Sequence, residues 1–106
     1  MFKAMILLAR REETTREEFR DWWLGAHAEL ARGLPGVRGL RFNLADSDET
    51  GFDGVAEQWF DSREAFEAAY ASEHGRRVAE DSLAHVARRE RLFVSEHVLV
   101  DGPPPS

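Results

Sequence analysis

The 106 residues are 42% apolar and 32% charged, a length and balance that fit one globular domain with one core and leave no room for a second. With 14 basic against 20 acidic residues, net −6, the chain would repel a phosphate backbone, so nucleic acid is not an expected partner. The absence of cysteine excludes disulfides, thiolate catalysis and cysteine-ligated metals.

The apolar run Ala4–Ala9 is too short for a signal peptide or a membrane span, so a cytoplasmic protein is expected, neither exported nor membrane-bound. Residues 2–9 read as a strand stopped by Arg10-Arg11-Glu12-Glu13, and because both alternating faces are apolar it should be buried on both sides. Thr15-Arg16-Glu17-Glu18 is a capping box, so a helix should start there. Phe19, Trp22, Trp23, Ala26 and Leu30 recur at three and four residues and predict one apolar stripe, with His27 at its edge. Gly33 and Pro35-Gly36 end it.

Val37–Ala45 alternates, with Leu40, Phe42 and Leu44 on one face and Arg41 and Asn43 on the other, which suits an edge strand. An acidic turn over residues 46–51 leads to a third strand, Val55–Phe60. There Val55, Glu57 and Trp59 share one face, and Ala56, Gln58 and Phe60 the other. Asp61-Ser62 can cap a second helix with Ala65, Phe66, Ala69 and Tyr70 inward, broken at Ser72-Glu73-His74-Gly75. A further helix is expected over residues 76–89 with Val78, Ala79, Leu83 and Val86 inward, then a last strand over residues 92–100. Residues 1–100 therefore form the domain, and 101–106 a polar tail with nothing to bury.

The order β-α-β-β-α-β predicts an α+β ferredoxin-like fold, an antiparallel sheet with both helices on one face. Helices cover one face only, whereas the first and third strands are apolar on both. A second copy pairing sheet to sheet is the simplest cover, so a homodimer is expected.

Four segments in this order, Arg16–His27 (REEFRDWWLGAH), Leu34–Val37 (LPGV), Asp53–Ser62 (DGVAEQWFDS) and Ser95–Val98 (SEHV), resemble the EthD-type family over nearly the whole chain apart from the tail. The resemblance implies a dimeric α+β barrel with a pocket in each subunit between sheet and helices. It implies no single reaction, since relatives on this fold include methylmuconolactone methylisomerases, muconolactone isomerases, polyketide cyclases and cofactor-free monooxygenases. His27 matches the family's helix-borne histidine. The methylisomerases add a tyrosine and a cysteine where this chain has Leu40 and Gln58, so their reaction is not expected here.

His27 is the candidate catalytic residue, as general acid or base, because an imidazole titrates near neutrality; the alternative is a half-buried histidine bonded to a backbone carbonyl. Trp23, Leu40, Phe42 and Phe60 would make an apolar, aromatic wall, with Gln58 supplying an amide to a substrate carbonyl or serving a structural hydrogen bond. Glu57, in the middle of a buried strand, needs a partner, expected as an Arg or a hydroxyl at the subunit interface. Glu96 and His97 would face opposite ways on the last strand, and His74 and His85 read as solvated or locally paired. No HxH or HExxH spacing, glycine-rich phosphate loop or nucleophile elbow is present, so neither a metal nor a cofactor is expected. The function these residues imply is a small-molecule pocket for cofactor-independent isomerisation, cyclisation or dehydration of a cyclic or aromatic metabolite. The alternatives are a cofactor-free monooxygenase and a non-catalytic binding protein.

Overall fold

The structure, a computed structural model, describes residues 1–102. Strand β1 (Phe2–Arg10) leads to helix α1 (Arg16–Trp22), a π-helical turn (Trp23–His27) and helix α2 (Ala28–Arg32). Then follow strands β2 (Gly39–Leu44) and β3 (Gly54–Phe60), helices α3 (Arg63–Ala71) and α4 (Glu73–His85), and strand β4 (Val86–Val94). The sheet order is β2-β3-β1-β4, antiparallel throughout, which makes the fold α+β and ferredoxin-like. Among the described residues no helix is long and apolar enough to cross a membrane.

Local chemistry sets the helix starts. Thr15 caps α1, accepting from the Glu18 amide at 3.0 Å while Glu18 accepts from the Thr15 amide at 2.9 Å, the reciprocal box the sequence encodes. Ser62 caps α3 and Ser72 caps α4. The register sets Ala4 opposite Gln58, Ile6 opposite Ala56 and Leu8 opposite Gly54, and this face lies under the helices. The largest fully buried side chains, Phe19, Trp23, Phe60, Phe66 and Leu8, come from both the sheet and the helical layer. A Cβ on Gly54 would lie 2.6 Å from the Trp23 ring, so glycine is what lets that indole rest on β3.

Several expectations need correction. Ala26 is exposed and His27 is buried at the centre of the stripe: the Ala28 amide reaches the Trp23 carbonyl, and this wider π turn keeps Phe19, Trp23, His27 and Ala31 in line. An α-helix would let a four-residue repeat drift by about 40° per step. Helix α4 stops at His85 and β4 begins at Val86, so the last strand is Val86–Val94 and not residues 92–100, and Leu83 points outward at 59% exposure. Consequently Glu96 and His97 lie beyond the strand, where Glu96 accepts from Lys3 Nζ at 2.8 Å. Glu57 is indeed paired, but with Lys3 of its own chain, at 2.8 Å, and with Asn43 Nδ2 at 3.0 Å. Of the expected tail, Asp101 and Gly102 are exposed, and residues 103–106 lie outside the described residues.

The opposite face of the sheet carries Met5, Leu7, Val55 and Trp59, all half-buried, and Leu92, 54% exposed. Lys3 lies among them beneath the Trp59 ring, 4.5 Å from its centroid. Among the described residues no helix or strand covers this layer.

Candidate functional site

His27 leaves the π turn towards α4 and meets two consecutive residues of that helix. Its Nδ1 lies 2.8 Å from Asp81 Oδ2 and its Nε2 lies 3.3 Å from Ser82 Oγ. The carboxylate keeps the proton on Nδ1, which leaves Nε2 as the basic nitrogen, with the Ser82 hydroxyl donating to it. Trp22 Nε1 donates to the same Asp81 oxygen at 3.1 Å, and His85 stacks on Trp22 at 4.5 Å between ring centroids. The other Asp81 oxygen, Oδ1, lies 3.3 Å from His85 Nδ1, so the carboxylate is held between Trp22, His27 and His85.

Burial pushes the His27 imidazole below its ordinary value, and the nearby charges of Arg89 and His85 push the same way, while the Asp81 hydrogen bond opposes them. Removing the ring from water therefore outweighs the carboxylate. The histidine is neutral at pH 7, in the form that accepts a proton at Nε2.

A cavity opens beside this nitrogen, with a volume of about 10 Å³, room for about one water. Its wall includes Trp23, His27, Phe42, Gln58, Tyr70 and Arg89. Gln58 Nε2 donates to the Tyr70 hydroxyl at 2.8 Å. Burial pushes the Tyr70 phenol up, against its hydrogen bond to Gln58 and the positive charges of Arg89 and Arg91. Phe42 stacks on Trp23 at 4.4 Å and 8° and forms the partition to an outer apolar groove of about 220 Å³, lined also by Leu24, Ala28, Arg32 and Leu40.

Of the residues singled out in the sequence, Trp23, His27, Phe42 and Gln58 converge on this cavity. Leu40 lies in the outer groove, and Phe60 packs with Ala4, Phe66 and Ala69 away from both. Sequence reasoning did not find Asp81 and Ser82 as partners of His27, nor Arg89 in the cavity wall. A pattern could have suggested the first two, since Asp81 and Ser82 sit one turn from the inward Val78 on α4, but their contact with His27 spans more than 50 residues. Among the described residues no group of three or more His, Asp or Glu is placed to hold a metal.

Compared with known proteins, residues 11–89 match the model of the EthD domain. No curated protein matches the chain. Among solved structures, an ethyl tert-butyl ether D (EthD) family protein of Bacillus halodurans is 21% identical with a TM-score of 0.78, over 92% of this chain and 100% of that one. A dimeric ferredoxin-like protein of unknown function from Thermobifida fusca is 14% identical with a TM-score of 0.73, over 90% of each chain. SnoaB of Streptomyces nogalater, a cofactor-independent oxygenase, is 18% identical with a TM-score of 0.69, over 95% of this chain and 97% of that one.

Proposed function

The chain belongs to the EthD domain family, and from that premise we propose that it is a homodimeric small-molecule enzyme performing cofactor-independent proton transfer on a cyclic or aromatic metabolite. Isomerisation, cyclisation and dehydration all need a proton removed at one atom and delivered at another. His27 Nε2 is the group that carries it. The observation that supports this most strongly is the Asp81–His27 pair at a cavity wall: a buried imidazole, neutral at pH 7, with its tautomer set by a carboxylate.

In this reading the carboxylate steadies the imidazolium that forms when Nε2 takes the proton, and Trp22 fixes the carboxylate in turn. The aromatic wall of Trp23 and Phe42 receives the ring of the metabolite. Because the inner cavity holds about one water, entry requires the Phe42 ring to turn outward and join it to the apolar groove.

The test begins with mass spectrometry of small molecules retained by the purified protein, followed by incubation of the retained compound with the protein in D₂O. Deuterium incorporation by the wild type that His27→Asn abolishes is the expected result. Retention without exchange would leave a binding protein only. The similarity of fold to a cofactor-independent oxygenase favours one second reading, and consumption of oxygen with an electron-rich phenol would install it in place of the first.

A further inference from the structure

The inner cavity is rich in donors and poor in free acceptors. Trp23 Nε1 and Arg89 Nε are both buried and, among the described residues, have no hydrogen-bond partner. Both side chains line the cavity. Neither an indole nor a guanidinium N–H can accept, so each of these two atoms requires an acceptor that the described residues do not provide. The acceptors nearby are engaged: Asp81 Oδ2 serves Trp22 and His27, and the Gln58 amide oxygen faces the Tyr70 hydroxyl at 3.2 Å.

Among the described residues Arg89 also has no counter-ion. Burial and the like charge of Arg91 push its guanidinium below the usual arginine range, and the group that opposes them is the Tyr70 hydroxyl, not a carboxylate. Arg89 is half-buried, and a cation partly withdrawn from water is ordinarily paired. In β4 Arg89 stands opposite Leu8, and so it points under the helices and not to the open layer.

We propose that the cavity binds the ionised carboxylate of its ligand, with Arg89 as the anchor and the Trp23 indole N–H as a second donor. This rests on the reading of the cavity as a small-molecule site and narrows its ligands to cyclic or aromatic acids. The single water that fits the closed cavity could accept from both the indole and the guanidinium, but it leaves the charge of Arg89 uncompensated. A carboxylate answers both, and Arg pairs with it in a fork that a water lacks. With Phe42 turned outward, the apolar part of the acid lies along Leu24, Ala28 and Leu40 while its oxygens reach Arg89. The acid is then held beside His27 Nε2, within range of proton abstraction.

The test uses the full chain labelled with ¹⁵N, whose indole N–H signals come from 3 tryptophans, that of Trp23 being assigned by its loss in Trp23→Phe. Titration compares 1-naphthoate with its neutral isostere 1-naphthamide. The expected result is at least tenfold tighter binding of the acid, a downfield move of the Trp23 indole proton, and loss of the preference in Arg89→Met with part of it kept in Arg89→Lys. Without ligand, Arg89→Met should melt at the same temperature as the wild type or above it, because it removes a half-buried charge that no described carboxylate neutralises. Equal affinity for acid and amide overturns the anchor and leaves the pocket standing; binding of neither overturns both. Movement of the Trp59 signal alone would place the acid on Lys3 and Arg41, which flank that ring, and would also overturn the proposal. So would a preference for the acid that persists in Arg89→Met, or a marked fall in that variant's melting temperature, which would make Arg89 structural.

Discussion

His27 combines two properties that pull against each other, burial at 4% exposure and a carboxylate at hydrogen-bond distance. Its proton affinity is lower in the fold than in the unfolded chain, where it is near 6.5. The unfolded chain therefore takes up the proton first as pH falls. The stability linked to His27 is fully present above about pH 6.5 and is lost as pH falls through the lower folded value. Melting curves from pH 8 to pH 5 should show the wild type losing stability from about pH 6.5 downward, and His27→Asn following a flatter course. At pH 7.5 that variant loses one bond to Asp81 and some packing, a cost of about 1–3 kcal/mol, while Asp81 keeps Trp22 and His85. Turnover, by contrast, should fall by at least an order of magnitude at a pH where the variant is folded. If turnover fell only as far as the folded fraction did, His27 would be a packing residue.

Among the elements, the π turn does most to place the site, because it aligns Trp23 and His27 on one line facing β3 and α4. The indole then occupies the space that Gly54 leaves open. Gly54→Ala forces a methyl into the ring and should destabilise the protein by about 1–3 kcal/mol, read from the urea midpoint, with a shift of the Trp23 indole signal. Thr15→Ala, at the cap of α1, should cost about 1 kcal/mol and leave that signal in place. These elements differ in how far they could be read from the chain. The cap is a local code, and Thr15 and Glu18 announce it within four residues; the alternation in β1 and β3 is nearly as explicit. The π turn has no such code, since Trp22-Trp23-Leu24-Gly25-Ala26-His27 fits an ordinary helix until Asp81, Ser82 and Gly54 are brought against it. β4 was hidden by its own charges. Arg88 and Glu90 face the open layer while Arg89 and Arg91 face the helices, so no contrast of polarity marks the two sides, and Val86 falls in step with Val78 and Ser82 as another helical position. The misread strand is also what kept Arg89 out of the expected site.

At the scale of the molecule, the unsolved packing problem is the open layer. The chain measures 37 × 37 × 22 Å, a slab of one helical layer on one sheet, and its accessible surface is 6983 Å² against about 6,000 Å² for a compact monomer of this length. Met5, Leu7, Val55, Trp59 and Leu92 lie on its uncovered side, and Val98, Leu99 and Val100 follow at 63%, 92% and 88% exposure. Apolar groups so grouped favour association. A second copy supplies the same residues in return, which is the isologous geometry of a two-fold dimer. The charges on this layer do not forbid it, because Lys3 is already matched by Glu57 and Glu96 and would enter the interface as a satisfied cluster. Size exclusion with light scattering at micromolar concentration should therefore give a dimer, with a melting temperature that rises with concentration. Leu92→Glu sets an unpaired carboxylate from each subunit into the interface and should shift the equilibrium to monomer. His27, Asp81 and the cavity lie on the other side of the sheet, so that monomer should retain the wild-type dependence of stability on pH between 8 and 5, at a lower melting temperature. A wild type that stays monomeric at those concentrations would remove the second copy from the proposal while leaving the cavity untouched, since every residue of its wall belongs to one chain.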